Sequence, residues 1–248
     1  MRKIIFLVFI LLKIPVFSQS GQIEYVSFFK SDANNYIIKE LENIVEENDS
    51  KLSYSLIVNG NKSIFFSSKT LSSKTDKINL QEINSKLIGT IFLDLNQRIL
   101  VQKKIVYGEE LTIKDSIKKF NWELINNETK IIDNMLCYKA IHKEIIEKKI
   151  ENEKNEIQVV KKEKIITAWY CPTININVGP LGFYGLPGLI ILLEDDIFVY
   201  QAKKIILNLN FNQKSLIEPP KATKYLNYDE YLKEYNRLKS IRENMMKY

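Results

Sequence analysis

Gly179-Pro180-Leu181-Gly182-Phe183-Tyr184-Gly185-Leu186-Pro187-Gly188-Leu189-Ile190, residues 179–190, is the stretch of sequence that decides the fold. Four of the eight glycines of the chain lie in it, spaced three residues apart and mixed with two prolines and large apolar side chains. Glycine permits a positive φ or a close backbone approach, and proline fixes φ and removes a donor. Residues 186–189 predict a type II turn, and the apolar run 189–193 predicts a buried strand directly after it.

The Gly-Pro loop, which we define as residues 179–188, has two interpretations that the residues alone leave open. In the first, which we favour, it is a tight apolar loop packed on the sheet near Trp169, where close packing requires glycine. In the second it is an exposed loop that binds a lipid, a peptide or a partner protein. A phosphate-binding loop is excluded because the glycine period is three, no Lys follows and a strand comes next. The candidate binding residues are Gly179, Pro180, Leu181, Gly182, Phe183, Tyr184, Gly185, Leu186, Pro187 and Gly188.

Short motifs before and within this stretch follow one another in a recognisable order. They are Trp122, Glu128-Thr129-Lys130-Ile131-Ile132, Cys137-Tyr138-Lys139-Ala140, Ala168-Trp169-Tyr170, Gly179-Pro180 and the GLPGLI core at 185–190. Together they resemble the GLPGLI family of secreted bacterial proteins, of the Porph_ging type. The resemblance is specific from about residue 120 to residue 206, and it implies no known biochemical activity.

The first 18 residues have the pattern of a secretory signal peptide. Arg2 and Lys3 precede an apolar core at residues 4–12, and residues 16–18 form a small-residue cleavage site. Lys13 makes the apolar run too short to span a membrane, and the mature chain has no other long apolar run. We therefore expect one domain over residues 19–248, exported to the periplasm or the cell exterior. The net charge of +6 contains these three basic residues and no acid from this segment, so the mature chain carries +3.

The remaining pattern predicts a mainly β (α+β) fold. Alternating apolar and polar residues predict a first strand at 21–30, and hairpins turn at residues 59–61 and 96–97. A helix is expected at 36–48, and a helical turn near 80–87 within a long polar loop. Consecutive antiparallel strands with helices near both ends suggest a single curved sheet, by analogy a half-barrel like the lipoprotein-carrier fold.

A C-terminal helix is predicted to begin after Asn227, because Glu230 stands three residues further on as in a capping box. Its apolar residues form one stripe that we expect to dock on the sheet. The stripe consists of Tyr228, Tyr231, Leu232, Tyr235, Leu238, Ile241 and Met245.

The two cysteines define a register for the longest predicted hairpin, 135–149 with 157–171. Opposed residues in an antiparallel pair have a constant index sum, and opposing Cys137 to Cys171 places the turn in the polar run 151–156. The same register opposes Tyr138 to Tyr170, which is a favourable aromatic pair. We expect a disulfide between Cys137 and Cys171 in an exported protein, with two buried free thiols as the alternative.

Little catalytic chemistry is available in the sequence. The single histidine, His142, is predicted in the middle of a strand, where packing is the usual role. One histidine and two cysteines do not provide a metal site, and the acids at 194–196 lack a calcium-loop pattern. The interspersed Lys and Glu residues indicate a solvated surface, so no nucleic-acid partner is expected. We expect no cofactor, no metal and no enzymatic activity.

Three functional hypotheses remain. The leading one is a non-enzymatic cell-envelope protein that binds an apolar ligand, such as a lipid, or a partner protein through the groove of the sheet or the Gly-Pro loop. The alternative is an accessory or docking subunit of an outer-membrane transport assembly, an association that the family resemblance implies. The third is a secreted hydrolase. A deep apolar cavity would favour the first hypothesis, and a flat exposed apolar patch would favour the second.

Overall fold

The structure is a computed structural model that describes residues 20–30, 52–68, 80–151, 157–195, 198–209 and 217–246. The predicted signal peptide and the predicted helix at 36–48 lie outside these residues, as does most of the polar turn at 152–156. No helix in the described part is long and apolar enough to cross a membrane.

The described chain forms eleven strands, two α-helices and one 3-10 turn. In chain order they are β1 (Ser20–Phe29), β2 (Leu52–Asn59), β3 (Lys62–Ser67), α1 (Leu80–Ile88), β4 (Thr90–Asp94), β5 (Ile99–Val106), β6 (Glu109–Ser116), β7 (Trp122–Ile132), β8 (Met135–Glu151), β9 (Ile157–Cys171), the 3-10 turn (Pro180–Gly182), β10 (Leu189–Glu194), β11 (Phe198–Leu207) and α2 (Tyr228–Met245). The predicted hairpins, the helical turn near 80–87 and the C-terminal helix are confirmed.

All eleven strands belong to one sheet, in the order β6-β5-β4-β3-β2-β1-β11-β10-β9-β8-β7. Each described pairing is antiparallel, as the sequence predicts. Strands β1–β6 form one meander and β7–β11 a second, and the pairing of β1 with β11 joins the two. The sheet is not closed, because its edge strands β6 and β7 do not pair with each other within the described chain.

The sheet is strongly curved, and the short connection between its two edge strands shows it. In a flat sheet with strands about 4.8 Å apart, β6 and β7 would be about 48 Å apart. The chain crosses from Ser116 at the end of β6 to Trp122 at the start of β7 in six steps, which span at most about 21 Å. The two edges must therefore curl towards each other.

The main core lies on the inner face of this curve. It includes Ile23 and Tyr25 on β1, Ala168 and Tyr170 on β9, and Leu193 on β10. A second cluster joins α2 to β5 and β6 through Val106, Leu111, Ile113, Leu226, Tyr231 and Leu238. The alternation of Leu100, Gln102 and Lys104 along β5 places all three on this inner face, because their partners on β4 and β6 include core residues. Helix α2 therefore covers the inner face at the β6 edge.

The register predicted for the long hairpin is confirmed. Tyr138 is opposite Tyr170, Glu144 is opposite Lys164, and the ladder continues to the pair Glu151 and Ile157. Only the first half of β8 pairs with β7, and only the last residues of β9 pair with β10. The distal half of this hairpin therefore extends beyond the sheet as a two-stranded arm.

Candidate ligand-binding site

The Gly-Pro loop lies inside the curve of the sheet and touches both of its halves. Gly182 faces β4, because a Cβ built on it would lie 3.2 Å from Ile91 Cγ2. The ring of the next residue, Phe183, lies 6.0 Å from the ring of Trp122 on β7. Strands β4 and β7 are eight places apart in the sheet, about 38 Å if it were flat. Two consecutive residues can reach both strands only because the sheet curls around the loop.

The loop is fixed there by hydrogen bonds and by close ring contacts. Trp122 Nε1 donates to the Tyr184 carbonyl at 2.9 Å, and the Tyr184 hydroxyl donates to the Lys118 carbonyl at 2.9 Å. The Phe120 and Phe183 rings are 4.7 Å apart. Leu186 is 1% exposed, and Leu181, Phe183 and Tyr184 are half-buried. The loop is thus packed into the molecule, and its ring contacts are with Phe120 and Trp122, whereas the sequence suggested a position near Trp169.

The turn at Pro187-Gly188 differs from the type II turn that the sequence predicted. The Gly188 N–H donates to the Leu186 carbonyl, while the Leu189 N–H donates to Ile174 and not back across the turn. Gly188 has a φ of +151°, and a Cβ on it would lie 2.3 Å from the Cys171 carbonyl oxygen. Glycine is needed here because the end of β9 passes directly against it, and this long-range contact leaves no local sequence signal.

The predicted disulfide between Cys137 and Cys171 is not formed: both cysteines are free and buried. The β8–β9 ladder ends at Tyr138 and Tyr170, one residue before the cysteines. Cys171 Sγ is 3.0 Å from Thr173 Oγ1, and Cys137 Sγ donates to the Met135 carbonyl oxygen. Burial, and then the adjacent Cys171 thiol, raises the pKa of Cys137 to about 11. The pair behaves as small apolar core residues.

His142 lies in the middle of β8, as predicted, and is 4% exposed. Its Nδ1 is 3.2 Å from the Asn121 carbonyl oxygen, and its ring packs against Phe120 and Trp122. Its Nε2 is buried without a hydrogen-bond partner among the described residues. The same part of the chain holds no group of three or more side chains suited to a metal ion.

A large cavity, of about 740 Å³, lies on the inner face between β5, β6 and the start of α2. Strand β5 positions its side chains by alternation, β6 adds Ile113 and Asp115, and α2 adds the two tyrosines of its first turn. The lining consists of Leu100, Gln102, Lys104, Ile113, Asp115, Ser116, Lys118, Tyr228 and Tyr231. Cavities of about 440 and 250 Å³ lie beside β6 and near α1.

Most polar groups of the large cavity are bonded to the protein. Asp115 Oδ2 accepts from the Tyr228 N–H at 3.0 Å, and the Tyr228 and Ser116 backbone N–H groups hold the pKa of this carboxyl below its usual range. Gln102 Nε2 donates to the Ile88 carbonyl at 2.9 Å, and Lys118 forms an ion pair with Glu144. Lys104 Nζ lies 4.5 Å from the centre of the Tyr231 ring. The cavity therefore combines apolar walls with a few oriented polar groups.

Sequence reasoning did not identify this cavity. It depends on the curvature of the sheet and on the docking of α2, which bring residues 100–118 together with residues 228–231. The only local signals were the alternation along β5 and the aromatic residues after the Asn227 cap.

These features define a class: a mainly β protein with one open, curled antiparallel sheet and a cavity of small-molecule size under a C-terminal helix. Residues 122–192 match the model of the Porph_ging family, which is described as a protein of unknown function. The GLPGLI motif at 185–190 lies within this range, in agreement with the resemblance seen in the sequence.

Two solved structures resemble this chain over 89% of its length. They are "Structure of PNGF-II in C2 space group", with a TM-score of 0.51 and 16% identity, and "Structure of PNGF-II in P21 space group", with a TM-score of 0.51 and 15% identity. The matched region covers 32% and 34% of those chains, so this chain spans about a third of their length. At this identity the likeness concerns the fold alone. No curated protein matches the chain by sequence.

Proposed function

We propose that this protein is a non-enzymatic binding protein that holds a small amphipathic ligand in the cavity between β5, β6 and α2. The observation that carries the proposal is the cavity itself: its volume falls within the range of about 300–1,000 Å³ typical of small-molecule sites. Its walls are apolar at Leu100 and Ile113 and polar at Lys104, a combination that suits a ligand with an apolar body and a polar end.

The position of the Gly-Pro loop supports this assignment. Because the loop occupies the inside of the curve near β7 and β8, the space open to a ligand lies at the other end of the inner face, beside α2. In this proposal the sheet acts as an open half-barrel, similar in principle to the lipoprotein carriers. The loop is the packing that sets its curvature.

The state of Asp115 supports binding over catalysis. A carboxyl group whose pKa is held low by backbone N–H groups stays ionised and is a poor general acid or base at neutral pH. The ionised carboxylate also orients the first turn of α2, so its role at the cavity is positional. We propose further that the protein acts after export, as the signal peptide predicts. The detection of mature chains that begin at residue 19, by mass spectrometry of envelope and culture fractions, tests that step.

Titration with an uncharged apolar fluorophore tests the binding proposal. The methyl ester of 11-(dansylamino)undecanoic acid should bind saturably, with one site per chain. Leu100→Trp places an indole in the cavity and should abolish uptake, while Gln97→Trp, in the exposed β4–β5 turn, should bind like the parent. The absence of saturable binding by the parent, or equal binding by both variants, would refute the proposal.

The alternative function, docking in an outer-membrane transport assembly, is favoured by a different observation. Large apolar side chains are exposed on the β7–β8–β9 region, among them Ile131 at 72% and Ile145 at 65%. Single substitutions Ile131→Ser and Ile145→Ser would reduce co-purification of an outer-membrane partner from native membranes without an effect on ligand uptake. Unchanged co-purification in both variants would remove support for docking through this surface.

A further inference from the structure

The two lysines that line the large cavity differ in their partners, and the Asp115 carboxylate is held by backbone N–H groups. Lys118 is paired with Glu144, and the Asp115 carboxylate accepts backbone N–H groups at the start of α2. Within the described residues, Lys104 has no carboxylate within ion-pair distance, and its recorded contact is with the face of the Tyr231 ring. Its neighbour on β5, Lys103, points to the opposite face and is paired with Glu110 at 2.7 Å.

The surroundings of Lys104 match what an anionic group requires. The side chain is half-buried, so water screens its charge less than it would on an open surface. The aromatic ring below it orients the ammonium group, and a contact of this kind leaves the ammonium hydrogens free to donate. Leu100 and Ile113 supply apolar surface in the same cavity. A ligand that pairs with Lys104 would therefore have an apolar body next to its anionic end.

We infer that the ligand is a single-chain anionic amphiphile, such as a long-chain carboxylate, whose anionic group pairs with the ammonium of Lys104. This inference rests on the proposed function and specifies the ligand class of the same cavity. A half-buried charge-assisted hydrogen bond is among the stronger polar contacts in proteins, and we expect it to contribute about a tenfold gain in affinity.

Two probes that share the same dansyl group and alkyl chain, one ending in a carboxylate and one in an uncharged methyl ester, test this inference. One is 11-(dansylamino)undecanoic acid, which is anionic at pH 7.5, and the other is its methyl ester. The parent protein should bind the acid about tenfold more tightly than the ester. Lys104→Met should remove that preference, so that acid and ester bind with equal affinity. Lys103→Met, the matched control on the opposite face, should keep the preference.

Each other outcome has a defined meaning. Equal affinities of the parent for acid and ester would overturn the anionic assignment while leaving the cavity as a binding site. The absence of binding of either probe would refute the proposed function as well. Loss of preference in Lys103→Met as well as in Lys104→Met would show that general surface charge is responsible, and would overturn the role of Lys104.

A third variant covers the case in which Lys104→Met does not fold. Lys104→Arg keeps the charge and the contact with the Tyr231 ring, so it should retain the preference for the acid. If Lys104→Arg binds acid and ester equally, the pairing is overturned. A second comparison separates free carboxylates from lipid head groups: vesicles of an anionic two-chain phospholipid should compete with the acid more weakly than free hexadecanoate does. Stronger competition by the vesicles would overturn the assignment to a single-chain ligand.

Discussion

Replacing Gly188 with alanine should destabilise the protein far more than the same change at Gly185. The two glycines lie in the same loop but differ in what surrounds them. A Cβ on Gly188 would lie 2.3 Å from the Cys171 oxygen, 2.6 Å from its carbonyl carbon and 2.8 Å from Pro172 Cα. All three are backbone atoms, so no side-chain rotation relieves the overlap. A Cβ on Gly185 has no such neighbour within 4 Å. Both residues have positive φ, +151° and +93°.

The size of this destabilisation follows from the backbone shift that the added Cβ requires. To restore a separation of about 3.5 Å, the end of β9 or the loop has to shift by about 1 Å. That shift strains the hydrogen bonds between β9 and β10 next to Cys171, at about 1 kcal/mol each, and disturbs buried packing at about 1–3 kcal/mol. With the φ strain included, Gly188→Ala should cost about 3–5 kcal/mol. Gly185→Ala should cost only the φ strain, about 1–2 kcal/mol.

Urea denaturation followed by tryptophan fluorescence measures both free energies of unfolding. The m-value should stay constant in both variants, because the surface exposed on unfolding does not change. Equal losses of stability in the two variants would refute the reasoning, since a backbone clash at Gly188 alone requires a difference of about 1 kcal/mol or more. A Gly188→Ala variant as stable as the parent would refute the close approach to Cys171 altogether.

Three further predictions concern protonation and the helix cap. Burial raises the pKa of Tyr25, Tyr54 and Tyr200 above that of tyrosine in the unfolded chain. The free energy of unfolding should therefore be constant below pH 10 and fall above it by about 1.4 kcal/mol per pH unit for each tyrosine. Unfolding measured at pH 8–11 should show this slope, and a flat profile would contradict it. Thiol titration of denatured, unreduced protein should give two free thiols per chain, and one disulfide with no thiol would contradict the structure. Asn227→Ala should lower the stability measured by thermal unfolding by about 1 kcal/mol, because it removes the side chain that accepts a hydrogen bond from the Glu230 N–H. An unchanged stability would show that this cap contributes nothing.

The elements that the sequence predicted correctly are determined by short-range patterns. The register of the long hairpin follows from aromatic and opposite-charge pairs that a one-residue slip would break, and the structure has that register. The C-terminal helix begins at Asn227 because the capping box is a local motif. Of its predicted apolar stripe, however, only Tyr231, Tyr235 and Leu238 pack in the second core cluster, while Tyr228, Leu232, Ile241 and Met245 are exposed.

The features that sequence reasoning missed depend on contacts between distant segments. The pairing of β1 with β11 joins residues about 180 positions apart, and no local pattern specifies it. The disulfide was expected because the register opposes the cysteines, but the ladder ends one residue before them and both remain free, buried thiols. The cavity requires both the curl of the sheet and the docking of α2, so it could not be derived from either segment alone.

The region that matches the family model and the cavity occupy different parts of the molecule. Residues 122–192 include β7, β8, β9 and most of β10, together with the Gly-Pro loop, which bridges β4 and β7 across the inside of the curve. The cavity is built from residues 100–118 and 228–231, outside that range. The matched region therefore contains the loop that packs inside the curve, while the residues that line the cavity belong to the rest of this chain. It follows that ligand binding has to be measured on this protein, and that substitutions in the loop should alter the cavity only through the curvature of the sheet.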